Sequence, residues 1–284
     1  MISARSIEPT VWRVTLLIGF IALAWAIWWS FTTTSGVTLA PRIALPGFAA
    51  LAVFGSLALR SFSPVVAFLL SLFGTLVAWR LVGTVTGDFA EAPGFWLLAV
   101  AFLFHLGQLT VIIYDNIRNP EGNSTFDLPK LSAAQWHLTL IRMYFAFHFI
   151  PHFSEKLFEG PTVRGGDVAA FTQPPINIDP GQALYFVLLA GLCELASAIG
   201  LGLGILTRAA ACGAALFLGF TIVMGHHFDN GYIWMEPGGG WGYPLLWALM
   251  VLSFAVPGGG AFSVDGVVAR KWELPRILRR IMGA

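Results

Sequence analysis

The stretch VTLLIGFIALAWAIWWSFTTTSGVTLAP, residues 14–41, contains no Asp, Glu, Lys or Arg. A bilayer core about 30 Å thick is crossed by roughly 20 apolar helical residues, so this one stretch is long enough to span it. Charge-free stretches recur at 61–79, 92–114, 209–228 and 237–264, and Glu194 alone interrupts 180–207. The composition agrees. Of 284 residues, 57% are apolar and only 11% charged, against roughly 25% charged in a soluble domain. So few charges cannot cover a water-facing surface. A net charge of +1 gives no basic field for nucleic acid. The two cysteines, Cys193 and Cys212, lie in apolar runs. They exclude a disulfide framework and an iron–sulfur cluster, and no C-x-x-C-H motif for covalent haem exists.

Splitting at Pro, Gly and charge predicts an all-α polytopic membrane protein with helices near 11–31, 43–60, 64–82, 93–114, 136–158, 182–206, 208–228 and 241–257. The first is expected to be a retained span and not a secretory signal, because Thr38-Leu39-Ala40 precedes Pro41, a poor cleavage context. With eight spans and both termini on one side, that side carries 11 of the 16 Lys and Arg, the other side 4, and Arg142 lies within a span. The positive-inside rule then places both termini in the cytoplasm of a cell whose inner membrane holds the chain. The organisation expected is four N-terminal helices in 1–114, a cytoplasmic loop at 115–135, a four-helix bundle in 136–265 and a basic tail at 266–284. On the inner surface that tail reads as an anchor to anionic lipid.

The chemistry concentrates in LIRMYFAFHFIPHFSEKLFEG, residues 140–160, a membrane helix holding Arg142, His148, His152, Glu155 and Lys156. Ionisable groups within a span face a partner, a bundle interior or a wet cavity. His148, His152 and Glu155 fall at i, i+4 and i+7, on one stripe, with Pro151 expected to kink it. The seventh span ends GHHFDNG, bringing His226, His227 and Asp229 to a similar depth. Three readings fit these residues: amphipathic caps at the headgroup level, a metal site, or a site that handles protons and a quinone head. H-x-x-x-H alone is too weak to assign a metal, and none is assigned.

The segment 159–181, rich in Gly and Pro, reads as an outer loop, and so does DNGYIWMEPGGGWGYP, residues 229–244. Trp234, Trp241 and Tyr243 of the second form either an interfacial aromatic belt or a lid stacking on a flat headgroup. Glycines in 192–219 are expected to let helices six and seven pack closely; GLGLG there follows no strand and is not a dinucleotide fingerprint.

Together these elements resemble the DoxX-like membrane family, which includes the large subunit of a thiosulfate:quinone oxidoreductase. The family's opening helix is matched by Arg142, Ala146, Phe149, His152, Phe153, Lys156, Leu157 and Phe158. Glu194 through Gly202 or Gly204 to Thr207-Arg208 resembles its next element, His226-His227 its outer histidine pair, and Gly258, Gly260, Phe262, Ser263 and Asp265 its closing element. The resemblance covers 136–270. Ala146 and Phe153 stand where the family has glycine, which puts packing near His152 in doubt. The resemblance implies a four-helix bundle, a quinone-linked role and a separate partner subunit.

The expectation is therefore a membrane subunit of a quinone-linked oxidoreductase. Its alternative is a non-catalytic anchor in a larger respiratory or photosynthetic complex; a transporter is disfavoured because no broken-helix pair recurs in the two halves. His152, His226 and His227 would donate to quinone oxygens or shuttle protons, and Glu155 and Asp229 would orient or accept them. Lys156 would supply charge for an anionic substrate or a half-reduced quinone. Arg142, His148, Trp234, Trp241 and Tyr243 would line the quinone site. Arg142 and Glu194 fall at depths about 8 Å apart on neighbouring helices, at 1.5 Å per residue, and are expected to pair. Glu194 could then also carry protons from the cytoplasm. The topology is checked by a cysteine placed at Glu236 in a chain lacking Cys193 and Cys212. It should react with an impermeant thiol reagent from outside the cell and not from the cytoplasmic face.

Overall fold

The computed structural model describes residues 4–33, 37–85, 92–118, 126–174, 176–235 and 238–283. Residues 119–125 of the linking stretch and 236–237 of the aromatic loop lie outside them. Among the described residues every regular element is helical. Six helices are long and apolar enough to span a bilayer: Ile7–Thr32, Leu39–Leu59, Pro64–Gly83, Pro93–Arg118, Pro180–Gly204 and Thr207–Met224. Gly242–Ser253 is a shorter apolar helix, and Ala133–Phe147 with Phe149–Leu157 forms a further broken one. All eight expected spans thus have a helical counterpart. The chain is a polytopic membrane protein.

Two compact units divide the chain. One is Met1–Ile141 with Gly260–Trp272, the other Arg142–Gly259 with Glu273–Ala284. The first unit holds α1 (Ala4–Thr32), α2 (Leu39–Leu59, with a π-helical turn at Leu51–Gly55), α3 (Pro64–Val85) and α4 (Pro93–Arg118). Of these, α3 is buried along most of its length, with Val65, Ala67, Leu69, Val77, Ala78 and Leu81 wholly enclosed. Its neighbours instead expose Leu17, Trp28, Phe31 and Leu103, as lipid-facing helices do. Gly74 brings α3 against α2 so closely that a Cβ there would lie 2.7 Å from the Phe48 carbonyl oxygen and 2.8 Å from the Ala52 nitrogen.

Several buried polar groups in this unit pair with one another. Glu8, 2% exposed, accepts from Arg60 Nη2 at 2.7 Å and from Gln108 Nε2 at 2.7 Å. The Arg60 guanidinium also lies over the Trp12 ring at 4.6 Å. His105, the ionisable group of this half that stands mid-span, bonds the Ala101 carbonyl at 2.7 Å and the Ser71 hydroxyl at 2.9 Å. It is a satisfied core histidine. Asn116 ties down the linking stretch, its Oδ1 accepting from Leu131 N and Trp136 Nε1, each at 3.0 Å.

The second unit begins within α5 (Ala133–Phe147), which breaks at His148 before α6 (Phe149–Leu157). Pro151 explains the position: its ring excludes the carbonyl four residues back, that of Phe147. Then follow α7 (Pro161–Thr172), α8 (Pro180–Gly204, π-helical from Ala198), α9 (Thr207–Met224) and α10 (Gly242–Ser253). The helix α7 corrects the reading of 159–181 as loop. Gly160 takes φ +95° and Pro161 occupies the first helical position, where a missing N–H costs nothing, so the dipeptide read as a turn is a helix start. Helices α8 and α9 pack closely as expected, since a Cβ on Gly200 would lie 2.4 Å from that of Ala210. The basic C-terminal segment contains α11 (Val264–Lys271), capped by Ser263 Oγ accepting from Gly266 N at 2.9 Å, and α12 (Arg276–Met282).

Gly74→Ala should lower stability by about 1–3 kcal/mol, the usual penalty of overpacking, because the atoms it meets are backbone and cannot rotate away. Gly107→Ala on α4, where a Cβ meets nothing within 4 Å, should be neutral or stabilising. Thermal unfolding of both variants in mild detergent checks the contrast.

Candidate functional site

A cavity of about 570 Å³ lies inside the second unit, within the size range of small-molecule sites. Helix α6 supplies Phe149, His152 and Lys156, α7 supplies Asp167 and Phe171, and α8 supplies Phe186, Leu189, Cys193 and Glu194. Leu218, Thr221 and Met224 of α9, His227 and Trp234 of the following loop, and Tyr243 and Trp247 of α10 complete the wall. The site is mostly apolar and aromatic. Rings run along it in contact: His227 to Trp234 at 5.3 Å between centroids, Trp234 to Tyr243 at 5.3 Å, Tyr243 to Trp247 at 6.1 Å and Trp247 to His152 at 5.5 Å.

At the polar end, Lys156 Nζ lies 3.1 Å from Glu194 Oε1 and 3.8 Å from Asp167 Oδ2. It also donates to the His152 carbonyl at 3.4 Å. The approach of α6 to α8 rests on Gly191, where a Cβ would lie 2.9 Å from both Lys156 Cβ and the Leu157 side chain. Glu194 is 5% exposed, and its Oε2 has no hydrogen-bond partner among the described residues.

The expected Arg142–Glu194 pair does not form. Glu194 reaches Lys156 on the far side of the His148 break, while Arg142, 1% exposed, donates from Nη1 to the carbonyls of Leu201 and Gly202. The physical reason is the π-helical turn at 198–204, which turns carbonyls aside from the regular i→i−4 ladder and offers them to the guanidinium. Depth along the helices brought the two charges near, but local backbone acceptors took the cation. Lys156, expected to supply charge for an anion, has two carboxylates facing its ammonium, Glu194 and Asp167.

Of the residues singled out from the sequence, His152, Lys156, Glu194, His227, Trp234 and Tyr243 meet at the cavity. His227 Nδ1 donates to the Gly239 carbonyl at 2.9 Å, which orients the ring. His226 and Asp229 do not line the wall. His226, at φ +59°, approaches Asp229 Oδ2 at 3.4 Å and the Ala170 carbonyl at 3.3 Å, tying the loop to α7. His148 packs on Tyr144 at 4.5 Å, Trp241 on Tyr232 at 4.9 Å, and Arg142 and Glu155 likewise stand outside the wall. The sequence reading missed Asp167, Cys193, Met224 and Trp247. Asp167 had a signal: it is the lone acid between Glu159 and Asp179, six residues past a helix start. Trp247 had none, since a tryptophan in an apolar span reads as lipid-facing.

The fold is that of a helical membrane protein with an internal cavity in its second unit. Residues 137–227 match the DoxX family model; the resemblance read over 136–270 is found over this narrower span. The chain is also 27% identical over 136 residues to an uncharacterized protein of Haemophilus influenzae, covering 48% of this chain and 93% of that protein. No solved structure matches.

Lys156→Met removes the cation that faces a buried carboxylate and should lower stability by about 3–5 kcal/mol. Adding Glu194→Gln to that variant should recover most of the loss. The four-member thermal-unfolding cycle in detergent measures the coupling; additive losses would show that the pair does not act as a unit.

Proposed function

We propose that the chain is an integral membrane subunit of a quinone-linked oxidoreductase, with the quinone held in the cavity of the DoxX half. One observation carries this reading: an aromatic-walled cavity of about 570 Å³ closes on a buried Lys156–Glu194 pair at 3.1 Å. A flat apolar ring with two carbonyl oxygens asks for such a site, stacking faces along the wall and donors at one end. The donor set fits. Lys156 Nζ and the Tyr243 hydroxyl would donate to a carbonyl oxygen, and His227, whose Nδ1–H is held by the Gly239 carbonyl, keeps Nε2 as an acceptor for a hydroxyl of the reduced ring. Trp234 and Trp247 supply ring faces, and Leu189, Leu218 and Phe186 exclude water. A bound quinone would supply two-electron, two-proton carrier chemistry. The two carboxylates that face Lys156 favour such a neutral ligand over an anion at this end of the cavity.

The charge asymmetry of the loops supports an inner-membrane location with cytoplasmic termini. A second reading, that the chain is a non-catalytic anchor within a larger complex, draws on the extent of the similarity. The family match is confined to residues 137–227, which leaves the first four helices as added membrane surface for partner subunits.

A short-tailed quinone added to the purified chain should quench the fluorescence of Trp234 and Trp247 saturably. Tyr243→Phe should weaken binding about tenfold, the loss of one hydrogen bond of about 1.4 kcal/mol. Absence of both saturable quenching and co-extracted quinone would leave the anchor reading.

A further inference from the structure

We propose that Glu194, Lys156 and Asp167 form a proton port that opens the cavity to water on the side carrying α7, with Glu194 holding the exchanged proton. It deepens the reading of the cavity as a quinone site and rests on that reading for its use, though not for its existence.

Charge is the first argument. Asp167 and Glu194 share one ammonium, and no second Lys or Arg lines the cavity. Among apolar walls an uncompensated carboxylate is costly, and taking up one proton neutralises the set. Glu194 is the member that gains by it, because it is the most enclosed and its Oε2 lacks a partner. Of the other titratable groups around it, α6 adds Glu155 and His152, α8 adds Cys193, the loop adds His227 and α10 adds Tyr243, while α9 presents Thr221 and Met224. Helix α7 adds Arg164, which donates to the Lys156 carbonyl at 3.1 Å and stands outside the cavity lining.

Exposure gives the route. Side-chain accessibility rises from 6% at Glu194 to 12% at Lys156 and 41% at Asp167. The steps between them are 3.1 Å and 3.8 Å. Lys156 can pass one ammonium proton to Glu194 and recover one from Asp167, which takes its own from water. Lys156 ends as it began, Asp167 is again a carboxylate, and Glu194 is neutral.

The opposite direction is closed. Two helical turns beyond Glu194, about 10 Å along α8, the buried Arg142 guanidinium is fixed on the carbonyls of Leu201 and Gly202. A fixed, buried cation repels protons. The sidedness follows from this: protons enter at Asp167, and not from the cytoplasmic end as the sequence alone suggested for Glu194.

The test uses the full chain, reconstituted and free of ligand, followed by infrared difference spectroscopy between alkaline and acid pH. A protonated-carboxyl band should appear on acidification, shift in D2O, and be missing from Glu194→Gln. Asp167→Asn should keep the band but slow its D2O shift at least about tenfold. A band that persists in Glu194→Gln, or a wild-type exchange rate in Asp167→Asn, overturns the port. Should Glu194→Gln not fold, Glu194→Asp replaces it, and a band displaced in frequency supports the assignment while an unmoved one overturns it. No quinone is present, so loss of quinone quenching with these signals intact sinks the quinone reading alone.

Discussion

An ammonium and a carboxylate 3.1 Å apart inside an apolar bundle set the terms for everything around them. Either charge alone would be untenable there, so α6 and α8 must stay in register wherever the chain is folded. Gly191 makes the approach possible, since any side chain would push α8 off Lys156. The break at His148 serves the same end. It lets the helix that begins with Arg142 against the π-turn of α8 continue, after Pro151, with Lys156 facing Glu194. One interruption thus separates two cations that would otherwise compete for the same acceptors.

The remaining features of the second unit follow from having a polar end in an apolar box. Helix α7 covers it with a short, poorly buried segment, held by Asp167 on Lys156, Arg164 on the Lys156 carbonyl at 3.1 Å, and His226 near the Ala170 carbonyl. These are modest, solvent-touched contacts of the kind a moving cover uses. The aromatic rings opposite are held more firmly. Trp247 stacks on Phe149 at 4.3 Å and donates to the Phe145 carbonyl at 3.1 Å. A rigid stacking wall facing a loosely tied helix suits a site that exchanges a flat ligand and protons.

The first unit shows the contrasting use of polar residues in a membrane. Glu8, Arg60 and Gln108 satisfy one another, His105 satisfies Ser71 and the Ala101 carbonyl, and Asn116 fixes the linking stretch. Each of these residues has at least one fixed partner. Such networks hold helices in place and stabilise a scaffold. In the second unit the Oε2 of Glu194 is left beside a cavity without a hydrogen-bond partner among the described residues.

Hydrophobic runs, their lengths and their charged ends determined the membrane class, the helices and their approximate limits, because crossing a bilayer allows few alternatives. Residue type also marked His152, Lys156, Glu194, His227, Trp234 and Tyr243, since polar and aromatic groups at those depths need a reason. Pairing was decided only by the tertiary structure. Helical periodicity places Glu194 and Arg142 at neighbouring depths, yet which cation meets the carboxylate depends on a helix break, a π-turn and a glycine contact between segments far apart in sequence. Asp167 entered the site for the same reason: its charge gains meaning only once α7 folds over Lys156. His226 and Asp229 left it because a left-handed residue at 226 turns one imidazole toward α7 while its neighbour turns toward the cavity.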